Sequence, residues 1–296
     1  MRIEVNGSRL FFETEGTKLR IDGNSMREVP TLLLLHGGPG ADHSIYRPAF
    51  SVFSDIAQVV YLDHRGNGRS DRGAVEQWNL TQWADDVKEF CDALDIKKPI
   101  VYGASFGGMV AMAYATRHPT HPQALALVST TAQATSHAEA KVDMFGQLGG
   151  MEARELAHRR FVLGDTSPEV LGAWLKVALP LYTQSVAESG TMERMVVNRE
   201  ATAWFNRAGG EGRYFDMLAH LSCIQCPTLV MGGLLDPMVP IECQRDIANA
   251  LPKDFLTYRE FEDCGHGVLS DVPHLAVPLL REFIVKHQHR NPAGDA

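Results

Sequence analysis

The stretch Gly103-Ala104-Ser105-Phe106-Gly107 carries the strongest structural signal in the chain. It follows the apolar run Pro99-Ile-Val-Tyr102 and precedes a helical pattern rich in alanine and methionine. A G-x-S-x-G sequence between a strand and a helix is typical of a nucleophile elbow, a sharp turn that exposes a reactive serine. The glycines, with Gly108, let strand and helix approach closely enough to hold this strained turn. We therefore expect Ser105 to be a nucleophile.

A glycine-rich loop follows a second buried-strand pattern. The run Thr31-Leu-Leu-Leu-Leu35 continues directly into His36-Gly37-Gly38-Pro39-Gly40. The loop can donate a backbone N–H to a developing oxyanion, and the N–H of Phe106 can donate a second. Gly38 is the first choice of donor in the loop and Gly37 the second. The alternative is that the loop is an ordinary tight turn; His36 itself is expected to be a structural hydrogen-bonding residue.

A serine nucleophile at neutral pH needs a base, and the base needs a carboxylate that orients it. The predicted base is His266, which lies between two glycines just after the strand pattern at 255–261. Loop freedom there lets an imidazole reach the end of a neighbouring strand. Most of the other histidines are expected to be surface or structural residues.

The predicted acid is Asp236, which follows the buried-strand pattern at 226–232. The other suitable position, Ser129-Thr-Thr-Ala132, offers no carboxylate. Asp263 lies too close in sequence to the histidine, and Asp271 is expected to cap the last helix. The resulting chain order of serine, aspartate and histidine is that of the α/β-hydrolase fold.

Three motifs resemble the prolyl iminopeptidase branch of the α/β-hydrolase superfamily. They are HGGPG at 36–40, Asp63-His-Arg-Gly-Asn-Gly-Arg-Ser70, and GASFGG at 103–108. The resemblance covers about 1–130 and 220–286, and it departs from the family pattern at His64, where the family usually has glutamine. It implies that Ser105, Asp236 and His266 form a triad and that Gly38 and Phe106 bind the oxyanion. It also implies an inserted helical cap.

The alternation of strand and helix patterns predicts an α/β fold with a mostly parallel sheet covered on both faces. The expected sheet has eight strands, as in the α/β-hydrolase fold. From about residue 133 to 218 the strand signals vanish and helical stretches replace them. We therefore expect a core at 1–132 and 219–288, a cap at 133–218, and a flexible tail at 289–296.

The cap is where the resemblance is weakest. Prolyl iminopeptidases hold the free α-amine of the substrate with cap glutamates, one of them often in a W-x-x-W-E segment, and no such segment occurs here between 131 and 220. Each available glutamate, Glu188 and Glu193 included, is more often a solvated charge on a helix face. The candidate substrate-binding residues are Trp174, Tyr182, Trp204, Glu200 and Glu211.

The loop Asp63 to Ser70 has two interpretations. Asp63 and Arg65 could contact substrate, but such a loop more often braces its neighbours through internal hydrogen bonds. We expect it to brace the glycine-rich loop from behind.

Composition restricts the class of partner. The 296 residues carry a formal charge of −8, which argues against nucleic acid or an anionic membrane as a partner. The chain start lacks the pattern of a signal peptide, and the longest apolar run, Leu32 to Leu35, cannot span a bilayer. We expect a cytoplasmic protein that acts on a small molecule or a short peptide.

The five cysteines are expected to be free thiols. Cys223-Ile-Gln-Cys226 matches C-x-x-C, yet no second pair or histidine partner accompanies it, so it is assigned to core packing. No metal and no cofactor are expected.

Taken together, these residues predict a serine hydrolase that forms an acyl-enzyme. An aminopeptidase that removes N-terminal proline is the first candidate. A carboxylesterase or lactonase without aminopeptidase activity is the alternative. A binding receptor is the third possibility, although it would not need an intact triad.

Overall fold

The computed structural model describes residues 1–185 and 190–288. Within these residues the main sheet has eight strands in the order β1-β2-β6-β5-β7-β8-β9-β10. The first two are antiparallel and the other six are parallel to one another. The strands are β1 Arg2–Val5, β2 Ser8–Glu15, β5 Thr31–Leu35, β6 Gln58–Leu62, β7 Ile100–Ala104, β8 Ala124–Val128, β9 Thr228–Gly233 and β10 Leu256–Phe261. The predicted eight-stranded, mostly parallel sheet is confirmed.

Helices cover both faces of the sheet, which is why its central strands are apolar along their whole length. Every residue of β5, β8 and β9 is buried. Helices α1 and α2 pack on one face, and α9 packs on the other. The helices are α1 Leu80–Ala93, α2 Phe106–Arg117, α3 Ala138–Phe161, α4 Pro168–Ala173, α5 Thr191–Arg194, α6 Arg199–Asn206, α7 Ile241–Ala250, α8 Val268–Asp271 and α9 Pro273–Lys286.

Residues 133–218, which we call the cap segment, contain α3 to α6 between β8 and β9. Helix α3 is interrupted at Gly150, whose φ of 75° and ψ of −163° are not helical. The two halves of α3 fold back on each other, since a Cβ at Gly146 would lie 3.1 Å from the Cβ of Arg154. Phe145, Trp174 and their neighbours form a small apolar cluster of their own.

Some local predictions need correction. The sequence pattern predicts a helix near 45–55, but the structure has two short 3₁₀ segments there, His43–Tyr46 and Ala49–Phe53. They are separated by a proline that interrupts helical hydrogen bonding. A hairpin, β3 Leu19–Asp22 with β4 Ser25–Glu28, was not predicted. It is mostly exposed on both faces, so its sequence lacks the apolar alternation of a half-buried strand.

The cysteine predictions hold in part. All five cysteines are free thiols, as expected. Cys226 is buried in the core as predicted, but Cys223 is exposed, because it ends a surface 3₁₀ turn. The tail at 289–296 and Glu188 lie outside the described residues.

The first turn of α2 lies directly against the end of β5. A Cβ at Gly107 would overlap the carbonyl oxygen of Leu35, and a Cβ at Gly108 would overlap the side chain of Thr130. The overlapping oxygen of Leu35 is a backbone atom at the end of β5. A larger side chain at 107 therefore requires the backbone to move.

We predict that Gly107→Ala lowers the free energy of unfolding by about 3 kcal/mol, the upper end of the range for overpacked sites. Gly172→Ala is the matched control, because a Cβ there meets nothing within 4 Å and the residue is exposed in a helix. We expect the control to stabilise by about 0.5–1 kcal/mol through helix propensity. Urea denaturation of both variants measures the difference, and equal stabilities would contradict the packing argument.

Candidate active site

Ser105 lies at the junction of β7 and α2 with φ 55° and ψ −123°, a conformation that side chains rarely adopt. The N–H of Ser105 donates to the carbonyl oxygen of Val128 at 2.9 Å, and the carbonyl oxygen of Ser105 accepts the Oγ1–H of Thr130 at 2.7 Å. Bonds on both sides of the residue therefore hold the strained turn in place. Ser105 lines a cavity of about 640 Å³ between the sheet and the cap segment.

His266 lines the same cavity and is hydrogen-bonded to Asp236. The distance from His266 Nδ1 to Asp236 Oδ2 is 2.8 Å. The other oxygen of this buried carboxylate accepts the N–H groups of Met238 and Val239, both at 2.9 Å. Because the carboxylate accepts the Nδ1 proton, the lone pair of the neutral imidazole is on Nε2. That tautomer is the one a general base requires.

The pKa of His266 is raised above its ordinary value of 6.5. Burial alone would lower this pKa, but the charge of Asp236 and its hydrogen bond outweigh burial, and Asp271 adds to the rise. Lys141 opposes the rise with its own positive charge. The carboxylate therefore stabilises the imidazolium that a proton transfer from serine would create.

The loop that carries His266 is fastened to the cap segment. The N–H of His266 donates to the carbonyl oxygen of Tyr182 at 2.6 Å. Asp271 accepts the N–H of Gly265 at 2.8 Å and the N–H groups of Gln184 and Ser185 at 3.0 Å. The predicted role of Asp271 as a helix cap is wrong, because its oxygens bind this loop and the cap segment while α9 begins without a side-chain cap.

The two glycines chosen as oxyanion donors lie beside the serine. Gly37 and Gly38 both line the cavity, and a Cβ at Gly37 would lie 3.7 Å from the Cβ of Ser105. Phe106 is the first residue of α2, where the helix leaves its N–H groups without internal partners. The positions suit two donors to one oxygen, and their role as an oxyanion hole remains a prediction.

His36 has the structural role that was expected of it. Its Nδ1 donates to the carbonyl oxygen of Gly37 at 2.7 Å, and its Nε2 accepts the N–H of His64 at 3.2 Å. Burial lowers the pKa of both histidines, so they stay neutral. The pair holds the glycine-rich loop against the loop at 63–70.

The expected bracing role of the loop at 63–70 is confirmed. Asn67 Oδ1 accepts the N–H of Gly40 at 2.6 Å. The cap segment contributes too, since Thr202 Oγ1 donates to the carbonyl oxygen of Pro39 at 2.6 Å and the N–H of Asn198 donates to that of Gly40 at 2.8 Å. Arg65 binds both oxygens of Asp86 at 2.7 and 2.8 Å and does not line the cavity.

Asp42, His43 and Asp63 are buried with ligand-type atoms within 4.8 Å of one another. Residues of these types can bind a metal ion, but here hydrogen bonds within the protein already occupy the oxygens of Asp63. Asp63 accepts both the N–H and Nδ1 of His43, at 2.9 and 2.7 Å, and the N–H of Arg69 at 2.8 Å. The group therefore serves to shape the loops behind the cavity.

Of the five substrate-binding candidates, Tyr182 lines the cavity. Trp174 lies behind it and donates Nε1–H to its hydroxyl at 2.9 Å, and Trp204 packs under Arg207. Glu200 is exposed, whereas Glu211 accepts the N–H of Leu80 at 2.7 Å at the start of α1. None of these last four lines the cavity, and direct contact of the five candidates with substrate stays a prediction.

Three cations on the cavity wall were missed by the sequence analysis: Lys141, Arg160 and Arg213. The first two belong to the opposite ends of α3 and meet only because that helix folds back at Gly150. No periodic pattern in the sequence predicts that these two residues lie on the same cavity wall. Within residues 1–185 and 190–288, no aspartate or glutamate lines this cavity.

A family model described as "alpha/beta hydrolase fold" matches residues 30–273, so the chain belongs to the α/β-hydrolase family. Within that family it resembles the prolyl iminopeptidase branch, as its motifs implied. Proline iminopeptidase PfmaB of Pestalotiopsis fici is 27% identical to it over 96% of this chain and 99% of the relative.

Solved structures show the same fold. The proline iminopeptidase of Mycobacterium smegmatis superimposes with a TM-score of 0.78 at 19% identity, over 97% of this chain and 98% of that one. Est816, described as an N-acyl homoserine lactone degrading enzyme, superimposes with a TM-score of 0.66 at 23% identity, over 96% and 100%. Among the described helices, none has the length and apolar character needed to cross a membrane.

We predict that Asp236→Asn lowers the pKa of His266, because the variant removes the negative charge and leaves the burial that disfavours the imidazolium. Histidine-selective NMR titration of the two proteins measures the shift. The signal of His36 is the internal control, since its lowered pKa arises mainly from its own burial and should not change. An unchanged His266 titration would show that Asp236 does not set its charge state.

Proposed function

We propose that this chain is a serine hydrolase that works through an acyl-enzyme on Ser105. One observation carries the proposal. Ser105 lies in a strained turn that hydrogen bonds hold on both sides, and it lines the same cavity as a histidine that is hydrogen-bonded to a buried aspartate. This arrangement supplies a nucleophile, a base and an orienting carboxylate in one enclosed space.

The chemistry follows from these positions. His266 Nε2 takes the proton of the Ser105 hydroxyl as its oxygen attacks the substrate carbonyl, and the imidazolium is stabilised by Asp236. The N–H groups of Phe106 and Gly38, with Gly37 as the alternative, stabilise the oxyanion. The imidazolium protonates the leaving group, and water then attacks the acyl-enzyme by the same route. The reaction needs no cofactor.

An ester or lactone is the substrate class that the cavity favours. The free α-amine of a peptide is a cation, and the described cavity wall carries three cations and no carboxylate. A buried ammonium group without a carboxylate partner is strongly disfavoured. We therefore place carboxylesterase or lactonase activity first.

An aminopeptidase specific for N-terminal proline is the second candidate. The HGGPG and GASFGG motifs and the 27% identity to a proline iminopeptidase favour it. Its requirement is a carboxylate that reaches the substrate amine from the cap segment.

A side-by-side rate assay separates the two candidates. The substrates are proline β-naphthylamide, p-nitrophenyl esters of increasing chain length, and an acyl-homoserine lactone. We expect esters or the lactone to be cleaved with little amide cleavage. A clear preference for the proline amide would establish the second candidate instead.

We predict that Ser105→Ala lowers kcat by roughly 10⁴–10⁶-fold on every substrate, because the variant lacks the nucleophile. Labelling by a fluorophosphonate should be lost as well. Ser222→Ala, which changes an exposed serine, is the control and should keep full activity. Wild-type rates in a folded Ser105→Ala protein would overturn the mechanism.

We predict that kcat/KM falls in acid with a midpoint above pH 6.5. The base is active only when neutral, and its raised pKa keeps His266 protonated to a higher pH than an ordinary histidine. The rate is therefore lost as pH falls through this raised pKa. Initial rates on one p-nitrophenyl ester between pH 5 and 9, in the range that histidine titrates, test it. A midpoint below 6.5 would contradict the assignment of the base.

A further inference from the structure

We propose that the cavity selects substrates that carry a carboxylate a few bonds from the scissile ester, and that Arg160 and Lys141 of α3 hold this carboxylate. The inference rests on the proposed function and specifies its substrate class. The reaction converts the monoanion of a hemiester of a short dicarboxylic acid and one water into the dicarboxylate, an alcohol and a proton.

Lys141 is a buried cation that forms no salt bridge within residues 1–185 and 190–288, although the charge of Asp236 raises its pKa from a longer distance. Its side chain lines the cavity, the residue is only 8% exposed, and its Nζ lies 5.0 Å from the centre of the Phe161 ring. Burial lowers its pKa, as expected when nearby counter-charge does not compensate fully. An aromatic face offsets only part of the lost hydration of an ammonium group.

Arg160 offers an unused donor at the same wall. Its Nη1 is buried and has no hydrogen-bond partner among the described residues. Its guanidinium carbon lies 4.6 Å from the centre of the Trp174 ring. Buried polar groups without a partner are rare in folded proteins. A guanidinium that packs against an indole and keeps a free N–H group is suited to bind a carboxylate.

Arg213, the third cation of the cavity wall, has a structural role. Its Nε donates to the carbonyl oxygen of Asn206 at 3.1 Å, and its Nη2 donates to that of Gly164 at 3.4 Å. Those bonds fasten parts of the cap segment to each other. Arg213 still adds positive charge, which contributes to lowering the pKa of Arg160, after burial as the main cause.

Tyr182 connects this positive wall to the reacting groups. Its ring centre is 5.7 Å from that of His266, and its hydroxyl accepts the Nε1–H of the Trp174 indole that supports Arg160. Lys141 is close enough to affect the pKa of His266 through its charge. A carboxylate bound by Arg160 and Lys141 would therefore be separated from the histidine by the side chain of Tyr182. That spacing fits a short acyl chain between carboxylate and ester carbonyl.

The test compares two esters of equal shape. Monoethyl adipate carries a terminal carboxylate, and ethyl 5-carbamoylpentanoate replaces it with a neutral amide. We expect kcat/KM to be at least tenfold higher for the carboxylate ester in the wild-type protein, since hydrogen bonds to charged groups are the stronger ones. Arg160→Gln and Lys141→Met should each lower the ratio of kcat/KM for the carboxylate ester to kcat/KM for the amide ester to less than about threefold. The ratio is the readout, because loss of the Lys141 charge also changes the pKa of His266 and with it the rates on both esters. Arg154→Gln, at an exposed arginine of the same helix, is the control and should keep the preference.

Two results would overturn the inference. One is equal or better cleavage of the amide ester by the wild-type protein. The other is an equal loss on both esters in the Arg160 and Lys141 variants, which would make these residues structural.

A binding measurement keeps failure of this inference apart from failure of the proposed function. Calorimetry measures adipate binding to Ser105→Ala and to the same protein with Arg160→Gln added. Binding that the second change weakens at least tenfold supports the anion site even if neither ester is cleaved, in which case the serine mechanism alone is wrong. Absence of adipate binding to Ser105→Ala overturns the anion site, whatever the rates on neutral esters.

Discussion

The contact between the first turn of α2 and the end of β5 is the constraint on which the rest of the site depends. No Cβ fits at Gly107, because the carbonyl oxygen of Leu35 occupies that space. The contact forces the chain to turn sharply at Ser105 and accept its positive φ. It also brings the glycine-rich loop, which continues from β5, beside the same serine. One backbone contact thus determines the positions of both the nucleophile and the predicted oxyanion donors.

The cap segment covers the candidate active site and is also hydrogen-bonded to two of its loops. It binds the glycine-rich loop through Asn198 and Thr202. It binds the histidine loop through the carbonyl of Tyr182 and through the N–H groups of Gln184 and Ser185, which Asp271 accepts. These bonds reach the two loops whose positions the chemistry requires. Movement of the cap segment would therefore change the alignment of the reacting groups along with the volume of the cavity. This coupling explains how a varied cap can alter specificity on a shared core.

The charge of the cavity distinguishes this chain from what its motifs alone imply. Its core motifs resemble those of proline iminopeptidases, which require an acidic group for the substrate amine. The described wall instead presents Lys141, Arg160 and Arg213. Because buried charges interact strongly in a medium of low polarity, their sign selects the charge of the ligand. In the proposed function the core therefore provides the reacting groups, and the cap segment provides the charges that select the substrate.

The sequence by itself determined the sheet, the elbow at Ser105 and the roles proposed for Asp236 and His266, because these depend on local patterns: apolar runs, glycines at tight turns, and polar residues just after strands. It did not reveal the exposed hairpin β3–β4, which has no buried face to impose a pattern. It also misassigned Asp271, since a polar side chain near a helix start looks the same in sequence whether it caps that helix or binds a distant backbone. Only the tertiary structure determined which residues form the cavity wall. The fold-back of α3 at Gly150 brings Lys141 and Arg160 to the same wall, and no local sequence pattern connects these two residues.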